Sequence, residues 1–233
     1  MAKNGGYHQF CPVAMASEVL CKRWTVILLR ELLAGSTRFN DLRKGVPRMS
    51  PALLSTRLKE LAQAGILERR ATPDRKVFDY LLTEAGRDLQ SVVMGIGIWG
   101  QRWVESQVSL KNLDPSLLMW DMRRNLDPTP MPDRKCVVQF LYPELPKARR
   151  NYWMIVTPPD DVDLCSVDPG FDIDLYVTTD LKTMTAIWMG VSKVRREIEA
   201  GRLVLTGDRG LASRIQTWLG LSPFAVEPKR VSG

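Results

Sequence analysis

Histidine and cysteine are the side chains whose number and spacing restrict the chemistry of this chain most. The 233 residues contain one histidine, His8, and four cysteines, Cys11, Cys21, Cys136 and Cys165. A Ser-His-Asp triad or a multi-histidine zinc site needs histidine beside other groups, and no two of these cysteines have CxxC spacing. We therefore predict no metal, no cofactor and no enzymatic activity, with reduced thiols as the ordinary interpretation of the cysteines.

A second group of side chains suits the recognition of nucleic acid. Ser50-Pro51 predicts a helix start, with serine at the N-cap and proline in the first turn. Leu54, Leu58 and Leu61 then fall on one face of a helix over residues 51–64. The opposite face carries small, polar or cationic side chains that can approach base edges: Ala52, Ser55, Thr56, Lys59 and Gln63. An ordinary solvated face is the alternative interpretation.

The elements around this helix complete a winged-helix arrangement. Before it, residues 15–33 have a helical pattern with a break near Lys22 and Trp24, and a short helix is predicted over 39–44. After it, residues 66–70 and 77–82 predict a β-hairpin with cations at its tip: Arg69, Arg70, Arg75 and Lys76. In this arrangement the recognition helix enters the major groove of DNA, and the hairpin contacts phosphates or the minor groove.

The net charge is concentrated in the same half of the chain. The whole chain carries +7, from 33 Lys and Arg against 26 Asp and Glu. Residues 1–110 contribute 16 basic and 10 acidic side chains, and residues 111–233 are close to neutral. This asymmetry favours a polyanionic partner for the N-terminal half, although a solvated basic face would give the same count.

The sequence has no signal for a membrane or for export. No apolar run approaches the roughly 18–20 residues that a membrane span needs, and the first residues do not resemble a signal peptide. We expect a cytoplasmic, nucleoid-associated protein with no membrane partner.

Six short segments of residues 8–108 carry a family resemblance. In chain order they are CPV at 11–13, KRWTVILL at 22–29, RFNDL at 38–42, SP at 50–51, LSTRLKEL at 54–61 and GIL at 65–67. Together they resemble the HxlR family of bacterial winged-helix regulators. The resemblance implies a homodimer that binds operator DNA. The matched region covers the predicted recognition helix and the hairpin, so it agrees with the interpretation from the residues alone.

The predicted DNA contacts divide into two groups. We expect base edges to be contacted by Ser50, Ala52, Ser55, Thr56 and Lys59. We expect phosphates to be contacted by Arg48, Arg57, Arg69, Arg70, Arg75 and Lys76. Arg57 lies beside the core face of the helix, so an ion pair with Glu60 or Asp41 is the alternative for that side chain.

A long helix predicted over 83–107 supplies a dimer surface. Its apolar positions include Val92, Ile96, Trp99 and Trp103, and we expect these four to lie in the dimer interface. Gly95, Gly97 and Gly100 each cost about 1 kcal/mol in a helix interior, which favours close approach by a partner or a break. Packing of this helix against the hairpin of the same chain is the alternative.

Cys11 is a candidate sensor. In the HxlR family a cysteine at this place senses oxidants or electrophiles in some members. A sensing thiol needs a lowered pKa and exposure, and Lys22 with Arg23 would supply positive charge. A half-buried thiol that positions the first helix is the alternative.

The C-terminal half predicts an α+β domain. A helix over 112–125 and a proline-rich linker at about 125–134 lead into strands over 136–142, 152–157, 162–167 and 171–179. Helices over 181–189 and 193–200, a strand over 202–206 and a helix over 208–219 follow. We expect an antiparallel sheet with helices, and hence two domains, residues 1–110 and 111–233.

This half also resembles the sterol carrier protein-like fold, on DLYVTT at 174–179, a helix reaching Gly190, GRLVLTGD at 201–208 and a closing helix through Trp218-Leu219. The resemblance implies a shell around an apolar cavity for a lipid-like or aromatic ligand. Candidate lining residues are Phe140, Trp153, Ile155, Met184, Trp188, Leu203 and Trp218. Because cavity and core have the same composition, an ordinary core is the alternative.

The sequence thus predicts a one-component transcriptional regulator, a homodimer that binds double-stranded DNA and senses a small apolar or aromatic ligand. One alternative is a regulator that senses oxidants through Cys11 and uses the C-terminal domain as a scaffold. The other is a non-catalytic carrier of a hydrophobic molecule.

Overall fold

A computed structural model describes residues 6–72, 77–105, 110 and 113–231. The chain divides into two compact units, Met1–Ile96 and Gly97–Gly233. Within the described residues, no helix is both long enough and apolar enough to cross a bilayer.

The first unit is a winged helix. Three helices precede the predicted recognition helix and its hairpin, and the chain leaves the hairpin through two further helices, the second of which continues past Ile96 into the second unit. Their bounds are α1 Pro12–Leu20, α2 Thr25–Leu33, α3 Phe39–Gly45, α4 Pro51–Gln63, β1 Leu67–Ala71, β2 Phe78–Leu82, α5 Glu84–Asp88 and α6 Gln90–Trp103.

Two of the predicted helices are interrupted. The break expected near Lys22 and Trp24 is confirmed, since α1 ends at Leu20 and Trp24 has a left-handed φ of 78° before α2 begins. The single helix predicted over 83–107 is wrong, because the segment forms α5 and α6 with Leu89 between them. Thr83 starts α5 by accepting a hydrogen bond from Gly86 N–H on its hydroxyl, and Gly86 lies against the backbone of Ile66.

A buried carboxylate joins three segments of this unit. The Glu31 side chain, on α2, has no exposed surface and pairs with Arg30. Ser36 Oγ lies 3.5 Å from Glu31 Oε2, and Arg30 Nη2 also donates to the carbonyl of Gly45 at the end of α3. A Cβ at Gly45 would lie 1.8 Å from Glu31 Oε2, so only glycine fits beside the carboxylate. The angle between α2 and α3 therefore depends on this group.

The two strands of the hairpin pair antiparallel, as predicted, with Leu67 opposite Leu82 and Ala71 opposite Phe78. The turn before α3 is attached to the second strand, because Tyr80 N–H donates to the carbonyl of Thr37 and Arg38 Nε lies 2.7 Å from Asp79 Oδ1. The hairpin is thus held to the helices at its base.

The second unit is α+β. It contains a helix, a sheet and short helices, and the strands begin later or end earlier than predicted at several points. The bounds are α7 Pro115–Asn125, β3 Cys136–Leu141, β4 Asn151–Thr157, β5 Asp161–Cys165, β6 Leu175–Thr179, α8 Leu181–Trp188, α9 Val194–Glu199, β7 Leu203–Gly207, α10 Arg209–Ser213 and α11 Ile215–Trp218.

The sheet is mixed and not antiparallel, which corrects the prediction. Its strand order is β5-β4-β3-β6-β7, and β3 and β6 pair parallel while the other neighbours pair antiparallel. The parallel pair arises because the chain passes through β4 and β5 before it returns to the other side of β3. The alternation of apolar and polar residues predicts which segments are strands, but it does not predict which strands pair with one another.

The candidate ligand-lining residues do not share one surface. Phe140, Met184, Trp188, Leu203 and Trp218 belong to one continuous buried core, where Trp218 Nε1 donates to the carbonyl of Leu211. Trp153 and Ile155 are also buried. They alternate along β4 with Met154 and Val156, which belong to the core, so they lie on the other face of the sheet. The seven residues therefore cannot line a single pocket.

The segment after Leu221 packs on the second half of α6. The Phe224 ring occupies the space beside Gly97, where a Cβ would lie 2.2 Å from it. Arg102 Nε donates to Glu227 Oε2 over 2.8 Å, and Arg230 N–H donates to the carbonyl of Arg102. Lys229 Nζ donates to the carbonyl of Val104. This C-terminal segment, Ser222–Arg230, is therefore part of the packed second unit.

The tight contact at Gly86 gives a stability prediction. A Cβ there would lie 2.1 Å from the carbonyl oxygen of Ile66, so Gly86→Ala should lower the free energy of unfolding by roughly 1–3 kcal/mol. Ala85→Ser is the matched control, because it adds one heavy atom at an exposed neighbouring position and should change stability by about 0.5 kcal/mol or less. Denaturant unfolding of the three proteins measures both values. Equal stability of the two variants would contradict the assigned contact.

Candidate nucleic-acid interface

The orientation of α4 is set by its inner face. Leu54, Leu58 and Leu61 are buried in one core with Leu28 and Leu29 of α2. The predicted start is confirmed, since Ser50 Oγ accepts a hydrogen bond from Leu53 N–H and Pro51 is the first helical residue. The buried leucines fix which face of α4 points inward, and the cap fixes where the helix begins. The opposite face is therefore exposed to solvent.

The outer face has the predicted small and polar character. Ala52, Thr56 and Lys59 are exposed, and Ser55 is half-buried. The Thr56 hydroxyl donates to the carbonyl of Ala52 over 3.0 Å, which fixes the direction of its proton. Its oxygen can still accept a hydrogen bond.

Arg57 belongs to the structure of the first unit. Its side chain is 16% exposed, its Nη1 donates to Glu60 Oε2 over 2.6 Å, and its Nε donates to the carbonyl of Arg23. Lys22 Nζ lies 3.5 Å from the other oxygen of Glu60. The ion pair with Glu60, the alternative that the sequence offered, is confirmed, and the phosphate contact of Arg57 stays a prediction. Asp41, the other possible partner, pairs with Lys44.

The cations of the hairpin fall into two groups. Arg69 and Arg70 are exposed on β1, where Arg69 lies over the Phe78 ring and Arg70 pairs with Glu68. Exposed pairs of this kind are worth at most about 1 kcal/mol, so Arg70 can exchange its partner for a phosphate at little cost. Arg75 and Lys76 lie outside the described residues.

An open cleft that the sequence prediction missed lies beside the start of α4. Its volume is about 550 Å³, and it is lined by side chains of α3 and of the connection to α4, among them Asn40, Arg43, Lys44, Arg48 and Ser50. Arg48 and Ser50 are predicted contacts, but Asn40, Arg43 and Lys44 are not. Three cations spaced across α3 and the connection are the signal that points to this surface.

The predicted dimer residues form a stripe on α6. Val92, Ile96, Trp99 and Trp103 are 45–61% exposed, and their spacing of four, three and four residues places them on one helix face. Packing of α6 against the hairpin of the same chain would bury these four side chains. Because they are exposed, the structure does not support that alternative.

Cys11 caps a helix. It occupies the N-cap position of α1 and is half-buried. The backbone N–H groups of Ala14 and Val13 lower the pKa of its thiol. This cause differs from the one expected, because Lys22 contacts Glu60 and Arg23 lies near the Trp24 ring. Within the described residues, no cluster of His, Cys, Asp and Glu could hold a metal.

The winged helix with an exposed, capped recognition helix defines a helix-turn-helix protein. Residues 19–108 match the family model described as HxlR-like helix-turn-helix. The Bacillus subtilis HTH-type transcriptional regulator YvaP is 34% identical over 99 residues, which cover 42% of this chain and 92% of that protein. The HTH-type transcriptional regulator YodB of the same species is 36% identical over 97 residues, covering 41% and 87%. The chain belongs to the HxlR family of transcriptional regulators.

Solved structures of two relatives match the same region. The reduced form of YodB from B. subtilis is 35% identical, covers 40% of this chain and 93% of that one, and gives a TM-score of 0.36. The redox regulator HypR in its reduced form is 32% identical, covers 39% and 91%, and gives a TM-score of 0.37.

Proposed function

We propose that the protein binds operator DNA as a homodimer, with the outer face of α4 in the major groove. The observation that carries this proposal is the division of α4 into a buried leucine face and an exposed face of Ala52, Thr56 and Lys59. Short side chains let the helix approach the bases, and a hydroxyl and an ammonium group supply hydrogen bonds to their edges. Ser50 and Ser55 complete the base-facing set.

Phosphate contacts are assigned to the cations that flank α4. Arg48 lies before the helix, and Arg69 and Arg70 lie on the first strand of the hairpin; all three are exposed. The excess of base over acid in residues 1–110 supports a polyanionic partner. Arg75 and Lys76 stay in the proposal on the strength of the sequence alone.

The dimer is assigned to the apolar stripe on α6. Four large apolar side chains on one exposed face are more than a soluble surface usually carries in one place, and such patches mark interaction sites. A second copy is the partner that a two-fold DNA-binding protein requires. Its recognition helices would then enter major grooves about 34 Å apart on a roughly palindromic operator.

Thr56→Ala tests the base-facing assignment. The variant should lose about 1–3 kcal/mol of the difference in binding free energy between a selected operator and a random duplex, because its hydroxyl no longer contacts a base. Thr217→Ala is the matched control, since Thr217 is also an exposed helical threonine whose hydroxyl donates to a carbonyl of its own helix. Fluorescence anisotropy with both duplexes measures the difference. An equal loss on both duplexes would exclude a base contact.

Ile96→Glu tests the dimer assignment. A carboxylate in the apolar stripe should raise the dimer dissociation constant at least about tenfold, because an unpartnered charge in an interface costs more than 1.4 kcal/mol. Ile198→Glu changes an isoleucine of similar exposure on α9 and serves as the control. Sedimentation velocity over a concentration series gives the dissociation constants. Unchanged self-association of Ile96→Glu would remove α6 from the interface.

A second candidate function is redox or electrophile sensing through Cys11. The observation that favours it is the thiol at the N-cap of α1, with a pKa lowered by two backbone N–H groups. HypR is described as a redox regulator, and structures of YodB exist in diamide-treated and quinone-bound forms. Here the thiol would react and the C-terminal unit would serve as a scaffold.

The lowered pKa of Cys11 makes its reactivity a function of pH. The pKa of a free cysteine is about 8.5, and a thiol with a lowered pKa keeps its thiolate form to lower pH. The rate of alkylation of Cys11 by iodoacetamide should therefore decline at a lower pH than the rate for a free cysteine. Peptide-resolved mass spectrometry measures the profile, and Cys11→Ser should abolish the effect of diamide on DNA affinity. The exposed Cys21, changed to serine, is the control. Identical diamide responses of the wild type and Cys11→Ser would end this candidate.

Ligand sensing by the C-terminal unit stays a prediction. Its support is the resemblance to the sterol carrier protein-like fold and the sheet with helices that this unit contains. Five of the seven candidate lining residues are packed with one another as core. An apolar ligand among them would therefore have to displace side chains that already contact each other.

A further inference from the structure

We propose that the open cleft between α3 and the start of α4 binds one backbone phosphate of duplex DNA. This inference rests on the proposed DNA binding and deepens it, because it names the chemical group that this surface recognises. The residues that carry it are Arg43 and Lys44 of α3 and Arg48 of the connection, with Asn40 as an uncharged neighbour. Of these, the sequence prediction included Arg48 alone.

The charge in the cleft has one sign. Arg43, Lys44 and Arg48 line it, and among the described residues no aspartate or glutamate belongs to its lining. Lys44 pairs with Asp41 over 3.1 Å, but both of those side chains are well exposed, so water screens the pair. A concave surface with several cations concentrates positive potential and attracts an anion. Arg43 and Arg48 are exposed and close to the space that such an anion would occupy.

The size and chemistry of the cleft fit a phosphodiester. Its volume of about 550 Å³ exceeds what one phosphate needs, and its open shape admits a group that stays attached to a polymer. Arginine offers a planar fork of donors that matches two phosphate oxygens, and Asn40 adds an amide donor. At the N-terminus of α4, Leu53 N–H already donates to Ser50 Oγ. The binding of a phosphate is therefore assigned to the side chains of the cleft and not to the helix N-terminus.

The position of the cleft relates it to the base-facing side chains. Ser50 and Pro51 form one wall of the cleft and also begin α4, whose next exposed residues are Ala52 and Thr56. When the N-terminal part of a recognition helix enters a major groove, the strand that borders the groove passes beside that end of the helix. A phosphate held by Arg43 and Arg48 would fix how far α4 enters and where along the duplex it stops.

The test is the salt dependence of DNA binding by Arg43→Ala/Arg48→Ala. Loss of one phosphate contact per protomer should reduce the slope of log K against log salt by about one for each bound protomer, because fewer counterions are released. The affinity for a duplex selected by the wild type from a random library and for an unselected duplex should fall by the same factor. Arg195→Ala/Arg196→Ala, which changes two exposed arginines of α9, is the control and should leave the slope unchanged.

A neutral phosphate analogue locates the contact. Single methylphosphonate substitutions along the selected duplex should weaken wild-type binding at one position beside each half-site. The same substitutions should not weaken the double variant further. Inorganic phosphate at equal ionic strength should compete no better than chloride; strong competition would show a site for the free ion and overturn the assignment to the DNA backbone.

The possible failures are distinguishable. If the wild type binds no duplex at any salt concentration, the proposed function fails. If the wild type binds but the double variant keeps the same slope and the same methylphosphonate profile, DNA binding stands and the cleft assignment is overturned. Circular dichroism melting checks folding, and Arg43→Gln/Arg48→Gln, which retains hydrogen-bonding side chains of similar length, replaces the alanine variant if that variant melts early.

Discussion

The Glu31 carboxylate lies at the centre of the helix-turn-helix and has no contact with water. It is held by Arg30, with Ser36 Oγ at the edge of hydrogen-bonding distance, and Gly45 leaves the space that it occupies. Arg30 is partly exposed, but Glu31 has no exposed surface, so removal of Arg30 would leave a buried carboxylate without its cation. The relative placement of α2 and α3, and through them the cleft and the start of α4, depends on these contacts.

The same principle separates the arginines of the first unit by role. Arg57 and Arg30 satisfy carbonyls and carboxylates within the unit, so their charge is used to hold helices together. Arg43 and Arg48 line an open surface whose described lining residues include another cation but no carboxylate. All four are single positive charges in the sequence. They differ in which carbonyl and carboxylate oxygens lie close enough to accept their hydrogen bonds, and the packing of the helices determines those oxygens.

Local signals made much of the first unit predictable. Ser50-Pro51 and the leucine spacing predicted α4, and two short segments on either side of a polar turn predicted the hairpin. The prediction failed where the deciding contact is distant in sequence. The contact of Arg57 with the carbonyl of Arg23 spans 34 residues, and β6 pairs with β3 across two intervening strands. The cleft was missed for a different reason, because Arg43, Lys44 and Arg48 are close in sequence but only the fold of α3 and the connection brings them to one concave surface.

The contact between Phe224 and Gly97 covers one face of α6 with the C-terminal segment of the same chain. YvaP is matched over 92% of its length by a region of about a hundred residues here, so it has no counterpart of the C-terminal segment. In this chain, that segment covers positions of α6 that a shorter protein would leave to solvent or to another partner. From Gly97 onward, one face of α6 is therefore filled by the chain itself: a side chain at Gly97 would collide with the Phe224 ring, and the Arg102 guanidinium is already bound to Glu227.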